Sequence, residues 1–144
     1  MNAKSLLPLI ALPALLGAAL PEPTTVTVDL AGLRSHKGLV QACLTADPKS
    51  FPDCQHDPHA FRQTVPAQAS TLQFRQVLPG RYAIALFHDE NANGRLDKVL
   101  MVPTEGFGFS RDAPVRFGPP RFAAAAFALG ERQMATTIRL RYIL

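Results

Sequence analysis

Apolar and polar residues alternate with a period of two through much of the chain. Thr25-Val-Thr-Val-Asp-Leu30 puts Val26, Val28 and Leu30 on one side and Thr25, Thr27 and Asp29 on the other, the pattern of a half-buried strand. Met134 to Tyr142 repeats it, with Ile138, Leu140 and Tyr142 inward and Thr137, Arg139 and Arg141 outward. Thr71 to Leu78 sets Leu72 and Phe74 on one face. Gly38 to Leu44 is apolar at Leu39, Val40, Ala42, Cys43 and Leu44. Arg81 to His88 is apolar on both faces, as a central strand is. Leu96 to Val102 carries a weaker strand pattern. Strands at this spacing, separated by proline and glycine, predict an all-β sandwich of about seven strands. Phe122-Ala-Ala-Ala-Ala-Phe127 breaks the pattern. Alanine favours helix and the preceding Pro119-Pro120 suits a first helical turn, so one short helix over an end of the sandwich is expected. The stretch 103–121 reads as a long loop rich in Phe and Gly, either functional or packed by its own side chains.

The first twenty residues follow a different rule. Lys4 is their only charge, and Ser5 to Leu20 is an apolar run containing Pro8 and Pro13. Gly17 and Ala19 are small residues placed for cleavage after Ala19. A basic start, a short apolar core and a small-residue exit predict a secretory signal peptide over residues 1–19, with the folded domain over 20–144. A membrane anchor is the rival reading, but it needs about 20 apolar residues. No cysteine follows the run to make a lipoprotein. The expected location is the periplasm or outside the cell, with no membrane span in the mature protein.

Composition then narrows the picture. At 144 residues there is room for one domain, which excludes a large cofactor-binding α/β enzyme. The 13 prolines argue against a helical bundle. The net charge of +4 is spread along the chain without a basic run, so nucleic acid is not an expected partner. Cys43 and Cys54 are the only cysteines, and neither lies in a C-x-x-C. Two cysteines in an exported chain pair, here closing a proline-bearing hairpin connection.

The sharpest chemical signal is Asp89-Glu-Asn-Ala-Asn-Gly-Arg-Leu-Asp97. Oxygen-bearing side chains stand at positions 1, 3 and 5, Gly94 at 6 and Asp97 at 9, as in a calcium loop of the EF-hand type. Asp89, Asn91, Asn93, the Arg95 carbonyl and Asp97 would be ligands. Leu100 stands where a bidentate Glu is expected, and a distant residue such as Glu105 could complete the shell. Affinity would then be weak, on the order of 10⁻⁴–10⁻³ M. The same residues also suit a plain structured turn, because Asn93-Gly94 favours a tight hairpin and Asx side chains satisfy turn backbone. His56 and His59 form an H-x-x-H, but Pro58 opposes helical spacing and no third ligand is evident. His88, at a strand end, reads as a core histidine or a partner of the loop.

The block Pro79-Gly-Arg-Tyr82 through Asp97 resembles the core of the DUF2141 family. So do Val102-Pro-Thr-Glu-Gly-Phe-Gly-Phe-Ser110, Phe117-Gly-Pro-Pro120 and Phe122. The resemblance covers nearly all of the chain after the leader. It implies an exported bacterial protein of unknown function, and therefore a location and an architecture without an activity. Leu78-Pro-Gly80-x-Tyr82 is also similar to the entry of a central strand in transthyretin-like and carboxypeptidase-regulatory-like sandwiches, so immunoglobulin-like or prealbumin-like topology is expected. The Cys43–Cys54 insert is not part of the family pattern. The expected function is a non-catalytic binding or accessory module, acting on an envelope protein or extracellular ligand. His88, Glu105, Phe107, Phe109 and Ser110 are its binding-loop candidates. The alternatives are a small periplasmic enzyme using His88, Glu105 and Asp112, or a purely structural envelope protein.

Overall fold

The structure is a computed structural model and describes residues 14–144. Most of the signal peptide expected over 1–19 lies outside the described residues. Residues 14–23 are exposed and form neither strand nor helix, so every described element lies downstream.

The alternating segments form the expected strands β1 (Thr24–Ala31), β2 (Leu39–Thr45), β4 (Thr71–Val77) and β5 (Gly80–Asp89), and an additional strand, β3 (Phe61–Pro66), lies between β2 and β4. A long excursion then holds two short strands, β6 (Lys98–Val99) and β7 (Val102–Pro103). After it come β8 (Phe107–Phe109), a 3-10 turn at Ser110–Asp112, a single helical turn α1 (Phe122–Ala125), β9 (Phe127–Leu129) and β10 (Met134–Arg139). One sheet has the order β10-β1-β4, with β1 parallel to β10 and antiparallel to β4. The other has the order β3-β2-β5-β8, antiparallel throughout, and β9 pairs with the first residues of β5.

The two sheets pack face to face. Val26, Val28, Leu72, Phe74 and Ile138 of the smaller sheet meet Val40, Ala42, Leu44, Ile84 and Leu86 of the larger one. Period-two alternation sends the intervening residues of β2 and β5 to the opposite face. That face is buried too: Cys43, Ala83 and Ala85 lie under Phe51, Phe107, Phe109, Phe122 and Ala125. The Phe51 ring stands edge-on to both Phe109 and Phe122. This second core explains why β5 is apolar on both faces.

The all-β sandwich is as expected, and four of the expected strands agree within about one residue at each end. Three differences have local causes. The strand expected at Leu96–Val102 is cut by a turn at Leu100–Met101 into β6 and β7. The loop expected over 103–121 contains β8, because Phe107 and Phe109 pack into the second core. The short helix lies on the outer face of β5 instead of an end of the sandwich, since Phe122 and Ala125 are drawn to the same cluster.

Cys43 and Cys54 form the expected disulfide, tying β2 to the connection before β3. The Arg62 guanidinium donates to the Cys54 carbonyl, and Asp57, in the same connection, accepts from the Thr45 hydroxyl at 2.5 Å. Replacing both cysteines by alanine should lower unfolding free energy by about 3 kcal/mol, from the loop entropy released in the unfolded chain. Urea denaturation of the C43A/C54A variant measures this, and circular dichroism should show the sheet retained.

Candidate functional site

The excursion between β5 and β8 is organised by buried carboxylates. Asp89, the last residue of β5, has no exposed surface. Its Oδ1 accepts the Asn93 N–H at 2.9 Å and its Oδ2 the Gly94 N–H at 2.8 Å. The Gln41 side-chain amide on β2 donates to Oδ2 at 3.0 Å and is itself held by the Thr64 hydroxyl on β3 at 2.7 Å. The turn therefore folds around a side chain fixed to the centre of the larger sheet. Glycine is needed at Gly94, where φ is +82°, and at Gly38, where φ is +69° and a Cβ would strike the Asp89 main-chain oxygen.

Glu105 reaches this loop from its far side. It is 5% exposed, and its two oxygens accept the Glu90 N–H at 2.9 Å and the Asp97 N–H at 3.1 Å. One carboxylate thus bridges the beginning and the end of the loop. Asp97 is more exposed and gathers amides: Asn91 donates to it at 2.7 Å and Asn93 at 2.9 and 3.0 Å. Its main-chain oxygen accepts the Thr104 N–H at 2.9 Å. The structure therefore brings Asp89, Asn91, Asn93, Asp97 and Glu105 together. The Arg95 side chain points to solvent and lies 4.0 Å from Asp97.

The other candidates lie elsewhere and have their own partners. His88 is buried in the space between the sheets. Its Nε2 donates to the Lys37 carbonyl at 2.7 Å, which leaves Nδ1 to accept the Tyr142 hydroxyl at 2.8 Å. Ser110 is buried too. Its hydroxyl donates to the Ala125 carbonyl at 2.6 Å and accepts the Ile84 N–H at 2.9 Å, joining α1 to β5. Phe107 and Phe109 are buried in the second core. Asp112 is exposed and pairs with Arg141 at 2.6 Å. His88, Glu105 and Asp112 share no hydrogen-bond partner. Surface depressions lined around Ala128–Met134 and around Phe61–Val65 with Thr71–Arg75 include none of the three.

Two residues that the sequence did not single out hold the region together. Arg34 donates to Glu90 at 2.8 Å, to the Thr104 carbonyl at 3.0 Å and to the Leu144 main-chain oxygen at 2.7 Å, and its guanidinium lies 4.4 Å from the centre of the Tyr142 ring. The other is Gln41, and it did leave a signal: it is the one polar residue in the run Leu39–Leu44.

Several carboxyls are held below their usual range. For Asp97 the cause is the Asn93 and Asn91 amides, and for Asp57 the Thr45 hydroxyl. Burial pushes Glu90 up, and the Arg34 hydrogen bond and charge more than offset it. A carboxyl lowered in the fold stabilises the protein above the ordinary carboxylate range, and this is lost as pH falls through the lowered value. Melting temperature should hold steady from neutral to about pH 5 and fall below it. An Arg34→Gln variant should show a shallower acid loss. Asp89→Ala takes the acceptor from the Gly94 N–H and the Gln41 amide, leaves the Asn93 N–H only Asn91 Oδ1 at 3.2 Å, and should cost about 2–4 kcal/mol in urea denaturation.

Three comparisons bear on identity. No curated protein and no solved structure matches the chain. The family described as an uncharacterized protein conserved in bacteria (DUF2141) matches over residues 28–137, from the fifth residue of β1 to the middle of β10. That span takes in both sheets, the carboxylate loop and the Phe-rich segment after it, and the chain belongs to the DUF2141 family.

Proposed function

We propose that the protein is an exported, non-catalytic binding or accessory module of the bacterial envelope, and that its 89–97 loop takes up Ca²⁺ weakly. The observation that carries the reading is the convergence of Asp97, Asn91, Asn93, Asp89 and Glu105 on one loop, with Asn91 and Asn93 both hydrogen-bonded to the Asp97 carboxylate and the Asp97 N–H to Glu105. Export is supported by the leader-like apolar start and by the disulfide, which persists in oxidising compartments. A non-catalytic role is supported by the hydrogen bonds of His88, Glu105 and Ser110, each of which holds backbone in place.

The loop also indicates why affinity would be low. Asn91 and Asn93 turn their N–H groups toward Asp97, where a cation would need oxygen. Turning both amides over would give up the Asn93 N–H bond to Asn91 Oδ1 at 3.2 Å and the Arg95 N–H bond to Asn93 Oδ1 at 3.1 Å. Asp89 and Glu105 are already engaged with backbone N–H groups. Binding at about 10⁻⁴–10⁻³ M fits that competition.

At about 10 mM Ca²⁺ such a site adds roughly 1.4–2.7 kcal/mol, a rise of about 5 °C or more in melting temperature. Chelator should reverse the rise, Mg²⁺ should not reproduce it, and Asp97→Ala should abolish it while leaving the fold intact. Equal melting with Ca²⁺ and with chelator would instead make the loop a plain turn.

A further inference from the structure

The excursion that holds the carboxylates also carries a turn made of two exposed apolar residues. Leu100 and Met101 are 93% and 84% exposed, and Val99 beside them is 55% exposed. They form the two-residue turn between β6 and β7, which pair as Val99 with Val102 and Lys98 with Pro103. Both turn residues have positive φ, +49° for Leu100 and +68° for Met101. A two-residue turn of this kind favours Asn-Gly, because L-residues with a Cβ avoid the left-handed region. The tip therefore holds two large apolar side chains where both solvation and backbone geometry oppose them. Neither packs against the domain, so the fold does not require them.

The charge around the tip is uneven. Lys98 is exposed at the base of the hairpin, and the side chain of Arg95 is 81% exposed just before it. The nearby acids are engaged inward: Asp97 with the Asn91 and Asn93 amides, Glu105 with two backbone N–H groups, and Glu90 with Arg34. What faces solvent is an apolar point with a basic base. Two or three side chains on a convex tip fall well short of the roughly 1,000 Å² that a specific protein interface needs. A lipid surface sets no such threshold. It accepts a small wedge without shape complementarity, and anionic headgroups attract Lys and Arg nearby.

We propose that the 98–103 hairpin is a membrane-surface wedge: Leu100 and Met101 enter the headgroup region of an anionic bilayer while Lys98 and Arg95 meet its charge. The contact is peripheral and reversible, and among the described residues no helix is long and apolar enough to cross a membrane. It lies outside the carboxylate cluster and does not depend on ion uptake.

The test uses the chain from Leu20 onward, since all described strands lie within Thr24–Arg139 and the leader-like run would itself bind lipid. Sedimentation is measured with phosphatidylcholine vesicles, with and without one-third phosphatidylglycerol. The protein should partition onto the anionic vesicles, less so at high salt. L100D/M101D should weaken this by ~10-fold or more, as expected for withdrawing two apolar side chains. L100N/M101G gives the turn its preferred residues, so it should melt higher and still lose binding. The proposal is overturned if the parent chain stays off anionic vesicles, or if both variants bind as it does. It is also overturned if the basic loop carrying exposed Phe117 proves responsible, with Phe117→Ser abolishing binding that the tip variants keep. Concentration-dependent dimerisation lost in L100D/M101D, without vesicle binding, would assign the tip to a second copy instead.

Discussion

The burial of β5 on both faces is the constraint on which the rest of this molecule depends. A ten-residue strand apolar on both sides cannot sit at the surface of a two-layer sandwich. One face is covered by the smaller sheet. The other has to be covered by other parts of the chain, and the disulfide-closed segment before β3 and the segment from β8 through α1 do this. Loops that would otherwise be free to vary are thereby committed to packing. The short excursion at the carboxyl end of β5 is left outside both cores, fixed at its root by a buried carboxylate.

That root has an electrostatic logic. Asp89 and Glu105 are buried acids, and a buried charge is tolerable only when hydrogen bonds replace the water it loses. Here the replacements are backbone N–H groups of the loop itself, together with Gln41. The same bonds that satisfy the buried carboxylate oxygens force the chain into its turn. Asp97 differs because its partners are side-chain amides near the surface, which can reorient. A loop of this design has a rigid base and an adjustable rim.

Much of this was legible in the sequence and some was not, for physical reasons. Clean alternation located β1 and β4, and double-sided apolarity located β5. The cysteine pair was readable because the chain offers no other partners. The gathering of Asp89, Asn91, Asn93 and Asp97 followed from their spacing, and Glu105 does come to the loop. β3 was missed because its inward positions include Gln63 and its burial is only partial. β8 and β9 are three residues long, too short for periodicity to register. Phe107 and Phe109 read as loop aromatics because nothing local shows that the outer face of β5 needs a cover. Arg34 was invisible as a hub because its partners lie 56 to 110 residues away.

The pairing of β1 with β10 has a bearing on when the domain can form. Six residues of the first strand, Val26 to Ala31, are matched in parallel with Met134 to Arg139 of the last. The smaller sheet, and with it one wall of the main core, is incomplete until nearly the whole polypeptide is present. Such non-local closure slows folding, because the entropy of bringing distant segments together precedes the contacts that reward it. For a chain exported as proposed above, this is an advantage in timing. On that proposal the nascent polypeptide would stay open for translocation, and would acquire its native topology only once its final strand had emerged on the far side.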